Sequence, residues 1–156
     1  MSWVSPTGYN DPNNKWTSES KAYDEDLDPA AAAECLIRAG EWGGFLELTH
    51  TAIVSNKVRF YAYYSLMGIS KIDLDVYKDG VWVHVYEGSY LHRAWVEKTF
   101  PQGNVTKARV RFYNSAATTR TAGVYEFDFW QVIAIGVTYD LTIYKVARGT
   151  TAPKPG

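Results

Sequence analysis

The sequence predicts an all-β chain: an antiparallel β-sandwich, or jelly roll, of about eight strands with one short N-terminal helix. Three observations carry this prediction. The run Lys71 to Gly88, KIDLDVYKDGVWVHVYEG, sets Ile72, Leu74 and Val76 against Lys71, Asp73, Asp75 and Tyr77, then passes through Asp79-Gly80 into a second alternating run. Successive strand side chains point to opposite faces, and Asp-Gly favours the tight turn that needs positive φ, so this stretch is a β-hairpin. Further strand-like segments follow one another at short spacing from Phe45 to Val132, as in a sandwich. Helical signals gather once, where Asp28-Pro29 opens AAAAECLIRAG.

Residues Met1 to Asp28 are rich in turn formers (Pro6, Gly8, Asn10, Pro12, Asn13) and read as an ordered loop region anchored by Trp3 and Trp16. Asp28 suits an N-cap, Pro29 the first helical turn and Gly40 the C′ position. A helix is therefore expected over Pro29 to Ala39, with Glu34 and Arg38 paired four apart. Phe45 to Thr49 reads as a strand. Over Lys57 to Tyr64, Val58, Phe60, Ala62 and Tyr64 share one face and Lys57, Arg59, Tyr61 and Tyr63 the other. Ser65 to Ser70 is a loop into the hairpin.

Ala94 to Phe100 is a strand ended by Pro101-Gln102-Gly103-Asn104. Lys107 to Tyr113 alternates Ala108, Val110 and Phe112 with Lys107, Arg109 and Arg111. After a polar loop from Asn114 to Gly123, the strand Val124 to Val132 puts Tyr125, Phe127 and Phe129 on one face. Ile133 to Val146 holds one or two further strands. The expected organisation is one sandwich domain over residues 1–148 and a flexible C-terminal tail over 149–156.

Composition narrows the function classes. The chain has 156 residues, 46% hydrophobic and 15% aromatic, enough for one domain with a substantial core. A formal net charge of −1 provides no field to draw nucleic acid or an acidic membrane. Cys35 is the only cysteine, which excludes an intrachain disulfide and a thiolate metal cluster. No apolar run approaches the roughly twenty residues of a membrane helix, and the first residues lack the basic and apolar regions of a secretory signal. Synthesis in the cytoplasm is expected, with action in a virion or at an extracellular surface.

Catalytic signatures are absent. His50, His84 and His92 sit in no zinc or nucleophile motif, and His84 reads as a surface or satisfied imidazole. The acidic stretch Asp24-Glu25-Asp26-Leu27-Asp28 has the better chemical claim, because calcium takes about six to eight oxygen ligands that closely spaced carboxylates and carbonyls can supply. On residue chemistry alone, a solvated acidic loop with Asp28 capping the helix is the simpler reading. The strip Arg59, Tyr61, Tyr63 is an aromatic and basic face suited to stacking sugars or bases, the inner face of a second sheet, or an edge covered by Trp3 or Trp16. Lys107, Arg109 and Arg111 read as a solvated strand face.

The order of these pieces resembles the discoidin family, the C-type modules of coagulation factors and their carbohydrate-binding relatives, which share a galactose-binding-like jelly roll. Lys21 to Asp26 (KAYDED) stands where the family has its early acidic turn. Trp42 with Phe45-Leu46-Glu47-Leu48, the strand Asp73 to Trp82 into its D-G hairpin, Ala108 to Phe112 (ARVRF) and Val124 to Phe127 (VYEF) are similar to the family strands that follow. The resemblance spans about Trp16 to Trp130. It implies a structural Ca2+ held by Asp24, Asp26 and Glu126, with Asp28 assisting, and end loops at Ser65 to Ser70 and Asn114 to Gly123 that meet a ligand.

The expected function is a non-catalytic structural or adhesive component of a phage-like particle, a head decoration or tail-associated protein. The alternative is a carbohydrate-binding module recognising glycans through its end loops. Expected partners are other protein surfaces or copies of the chain, as a homo-oligomer or on a capsid or tail. Glycans are the second class, and neither nucleic acid nor membrane insertion is expected.

Overall fold

A computed structural model describes residues 1–28, 30–64 and 68–132. The strands expected over Ile133 to Val146, the tail over 149–156 and the centre of the Ser65 to Ser70 loop lie outside the described residues. Nine strands and one 3-10 turn are present: β1 (Ser2–Val4), β2 (Gly8–Asn10), β3 (Trp16–Thr17), the turn Glu19–Tyr23, β4 (Ala33–Ile37), β5 (Leu46–Tyr64), β6 (Ile69–Lys78), β7 (Val81–Gly88), β8 (Trp95–Asn114) and β9 (Arg120–Gln131). All pairings are antiparallel, in the order β3-β4-β9-β5-β8-β6-β7, with β1 on β9 and β2 on β5. Among the described residues no helix is long and apolar enough to cross a membrane.

The sandwich arises because β5 and β8 each serve both layers. The first half of β5 pairs with the second half of β8, which carries β6 and then β7 on its other edge. The second half of β5 pairs with the first half of β8 and with β9. Register shifts between Thr49 and Ile53 and between Ser55 and Lys57 mark where the ladder bends from one layer to the other. The core lies between, built from Leu46, Leu48, Val58, Phe60, Ile72, Leu74, Val76, Val110, Phe112, Phe127 and Phe129, all fully buried.

The hairpin forms as expected. Asp79 (φ 51°) and Gly80 (φ 85°) take the two left-handed positions of its turn, and Lys78 pairs with Val81. Several boundaries differ from expectation. The segment expected to be a loop over Met1 to Asp28 carries β1, β2 and β3, because its short extended pieces pair with β9, β5 and β4. The separately expected strands Phe45 to Thr49 and Lys57 to Tyr64 are one strand, β5. Pro101-Gln102-Gly103-Asn104 does not end a strand; β8 runs through it. The segment coincides with the register shift between Thr99 and Gly103, so no ladder bond is required of Pro101, and a Cβ at Gly103 would meet the Lys78 side chain at 2.7 Å. Likewise β9 begins at Arg120, inside the expected loop.

The helix expected over Pro29 to Ala39 is not formed. Asp28 caps only a single turn, with its Oδ1 accepting from Ala30 N at 2.8 Å, and Ala33–Ile37 is strand β4 between β3 and β9. Ala33, Cys35 and Ile37 are buried while Glu34 and Leu36 face out, a period of two that the alanine run obscured. Glu34 accepts from Tyr63 OH at 2.7 Å in place of the expected partner Arg38. Trp16 is an anchor as expected, buried with its Nε1 donating to Gly44 O at 2.9 Å.

Asn114 ties one end of the sandwich together. Its Nδ2 donates to Ile37 O (2.9 Å) and Thr118 O (2.8 Å), and its Oδ1 accepts from Ala116 N (2.9 Å), all from a fully buried side chain. Asn114→Ala would leave these groups without their partner. It is expected to lower unfolding stability by about 3 kcal/mol, read from urea denaturation; a change within about 0.5 kcal/mol would contradict this role.

Candidate functional site

Strand β9 turns Phe127 and Phe129 into the core, so Glu126 and Asp128 project from the opposite face. That outer face is covered rather than solvated. Strand β1 pairs with the end of β9, and the 24–28 turn packs over Glu126. The β5 register places Arg59 opposite Asp128 and Tyr61 opposite Glu126. Arg59 Nε donates to Asp128 Oδ2 at 2.8 Å, and Ser5 Oγ lies 3.1 Å from Glu25 Oε2 and 3.4 Å from Asp128 Oδ1. The guanidinium sits 3.9 Å from the Trp95 ring centre and 4.5 Å from that of Trp3. With Leu27, these side chains line a cavity of about 290 Å³.

Glu126 is the anomalous group in this cavity. It is 2% exposed; Oε1 accepts from Phe127 N at 3.3 Å, the Glu25 N–H also faces the carboxyl, and Oε2 is buried with no well-aligned hydrogen-bond partner among the described residues. Burial, followed by the charge of Asp128, pushes its carboxyl up to about 8, against the pull of N–H groups from Phe127 and Glu25. Burial also raises Asp128, with Arg59 opposing. A buried carboxyl with an orphaned oxygen in a cavity is the mark of a site built to meet a proton, a cation or a ligand donor.

Of the other expected calcium ligands, Asp24, Asp26 and Asp28 stay exposed. Each gives one oxygen to a backbone N–H two residues on: Asp26 N at 3.1 Å, Asp28 N at 2.9 Å and Ala30 N at 2.8 Å. These bonds shape the turn, with Glu25 at φ 62°, that brings Glu25 rather than the three aspartates to the cavity wall. Glu25 and Trp95 were not singled out from sequence. Neither stands in a motif, and only the fold brings their segments to Glu126.

The strip Arg59, Tyr61, Tyr63 continues as an aromatic row: Tyr61 lies 5.5 Å from Trp95 and 5.7 Å from Tyr125, which is 5.5 Å from Tyr63. Covering by Trp3 applies to Arg59. The face of the other layer is no solvated basic strand. Arg109 and Arg111 pair with buried Asp75 and Asp73 and alternate with rings in the stack Trp42, Arg111, Phe45, Arg109, Trp82, at 4.8, 4.6, 4.3 and 4.1 Å. At the loop end, Ser115 N donates to Gly68 O at 2.8 Å, joining the two expected ligand loops. Ser89, Tyr90, Leu91, Val96 and Lys98 line another cavity of about 310 Å³, and Trp95 forms a wall of both this and the Glu126 cavity.

The raised carboxyl sets the pH response. Unfolded, Glu126 titrates near its ordinary 4.5; folded, near 8, so between these values the folded chain keeps a proton that the unfolded chain has released. Its stabilising contribution is complete below about 4.5 and is lost as pH rises through about 8. Glu126→Gln is expected, with chelator present, to flatten the fall in melting temperature over this window; an unchanged pH profile would contradict the assignment.

No protein-family model and no curated protein sequence matches the chain. Solved structures do. The CBM32 of AlyQ in complex with 4,5-unsaturated mannuronic acid is 14% identical, with TM-score 0.60 over 83% of this chain and 98% of that one. GH31 CBM32-2 bound to GalNAc is 10% identical, with TM-score 0.60 over 84% and 99%. The family 32 CBM of NanJ from C. perfringens, in complex with galactose, is 16% identical, with TM-score 0.53 over 82% and 90%. At these identities the likeness is one of fold, and it agrees with the fold implied by the strand motifs: the chain has a discoidin-like, galactose-binding-like jelly-roll fold.

Proposed function

We propose that this domain is a non-catalytic carbohydrate-binding module. The observation that carries the reading is the cavity walled by Trp3, Arg59 and Trp95 over Asp128 and Glu126. Arg59 lies against one face of each indole. A pyranose would therefore meet the remaining ring faces and edges with its apolar C–H groups, while the carboxylates, the Ser5 hydroxyl and the guanidinium offer hydrogen bonds to its hydroxyl groups. Arg59 is already neutralised by Asp128, and Glu25 adds a negative charge at the rim. This balance favours an uncharged sugar or an amino sugar over a uronate. The family 32 modules with this fold, solved with sugars bound, support the glycan reading over the particle component that the sequence first suggested.

A glycan array probed with the full chain, with and without Ca2+, is expected to retain uncharged pyranose glycans. Trp95→Ala removes a wall of both cavities and should weaken any array hit by about tenfold or more in calorimetry, with the fold retained by circular dichroism and the melting temperature lowered by loss of the ring's packing on Arg59 and Tyr61. No retained glycan under either condition would overturn the reading.

The structural calcium belongs to the same proposal. Glu126 Oε2 is a buried oxygen without a partner, and the chain above it is a turn with three exposed carboxylates, so the donor chemistry suits a hard cation. Glu126 would hold the ion from below with Glu25 at the cavity wall. Asp24, Asp26 and Asp28, which do not line the cavity, would reach it only if the turn rearranges on binding; the bound charge would replace the proton that Glu126 otherwise keeps. Millimolar Ca2+ should raise the melting temperature, reversibly with chelator, and Glu126→Gln should abolish the shift. No shift in the unaltered chain would remove calcium from this account.

A further inference from the structure

We propose that Asp73, Asp75 and His84 form a second, separate site, for a divalent transition-metal cation of the Zn2+ type. It lies on the outer face of the β6–β7 hairpin, in the layer opposite the Glu126 cavity. Asp73 and Asp75 stand two apart on β6 and so share a face; His84 is the register partner of Asp75 on β7. His84 Nδ1 lies 3.0 Å from Asp75 Oδ1 and 3.5 Å from Asp73 Oδ1, and one ligating atom from each of the three residues lies within 4.8 Å of the others. Zinc binds oxygen and imidazole nitrogen at about 2.0–2.2 Å, which makes the edge of its tetrahedron about 3.3 Å. The two imidazole–carboxylate separations straddle that edge, and the two carboxylates, within 4.8 Å of each other, would close toward the ion on binding.

The surroundings hold the donors in this pose. Asp75 Oδ2 accepts from Arg109 Nε at 2.8 Å, and Asp73 Oδ2 from Arg111 Nε at 2.9 Å, so each carboxylate is oriented by its far oxygen with Oδ1 turned to the imidazole. Both guanidiniums are clamped between rings, Arg109 by Phe45 and Trp82 and Arg111 by Phe45 and Trp42. Outer partners of this kind fix ligand orientation in metal sites. The aspartates are 5% and 7% exposed, whereas the His84 side chain is 59% exposed, which leaves a solvent side for entry and for completing the coordination shell with water. One nitrogen and two carboxylate oxygens suit a borderline metal; calcium prefers more oxygens and no imidazole. With Nδ1 facing both carboxylates, His84 would bind the ion through Nδ1 and leave Nε2 toward solvent.

The test uses the untagged full chain. Titration with Co2+, followed by visible d–d absorption, and with Zn2+, followed by calorimetry, should each saturate at one ion per chain, unaffected by millimolar Ca2+. His84→Ala, at an exposed side chain that leaves the fold intact by circular dichroism, should abolish this binding and leave the Ca2+ response of Glu126 unchanged. Arg109→Gln should weaken it by about tenfold through loss of the orienting bond. Absence of saturable Zn2+ and Co2+ binding, or equal binding by the His84→Ala chain, would overturn the proposal.

Discussion

The pairing of β5 with β8 is the constraint on which the rest of the domain depends. Each strand is long enough to enter both layers, and each bends where their shared register slips. Strand β9 takes the free edge of β5 in one layer, and β6 takes the free edge of β8 in the other. The apolar alternation Val58, Phe60, Ala62 in β5 and Ala108, Val110, Phe112 in β8 then aims both inner faces at one core. A one-residue slip in this ladder would turn every one of these side chains outward, so burial itself holds the register.

The outer faces follow a second rule. Asp73, Asp75 and Asp128 are carboxylates removed from water, and each is met by the Nε of an arginine lying across the sheet from it. Each arginine is in turn covered by aromatic rings, which exclude water from the ion pair and stiffen its long side chain. Such pairs contribute more to a unique arrangement than to net stability. Glu126 stands apart because no arginine meets it. That contrast within one strand, Asp128 paired and Glu126 unpaired, leaves Glu126 as the carboxylate that no arginine neutralises.

Much of the fold was legible in the sequence because strand periodicity and turn chemistry are local. The hairpin at Asp79-Gly80, the inward faces of β5 and β8, and the anchoring of Trp16 all follow from nearest neighbours. The helix over Pro29 to Ala39 failed for a tertiary reason. Four alanines after Asp-Pro favour a helix in isolation, but Ala33, Cys35 and Ile37 are needed to pair and pack beside β9, and the sheet prevails over propensity. Pro101 misled in a similar way, since a proline at a register slip interrupts nothing. The site was less legible. Glu126 was reached only through the family resemblance, and Trp95 and Glu25 carry no sign of their proximity because distant chain segments meet there. The alternation of Lys107, Arg109 and Arg111 located their face correctly, but nothing in it announced that Asp73 and Asp75 would lie alongside.

The docking of β1 against β9, with Ser2 opposite Gln131, has a kinetic side. The first strand of the described fold finds its partner only in the last, and β4 waits for that same strand. The chain must therefore be present as far as β9 before β1 and the β3–β4 end of the sheet can dock, whereas the β6–β7 end closes locally. Loop-closure entropy over nearly the whole described length is met before the β1–β9 contacts form. Folding is expected to belong to the slow, non-local class, with the open edge of β5 the surface most exposed to aberrant strand pairing until β9 arrives.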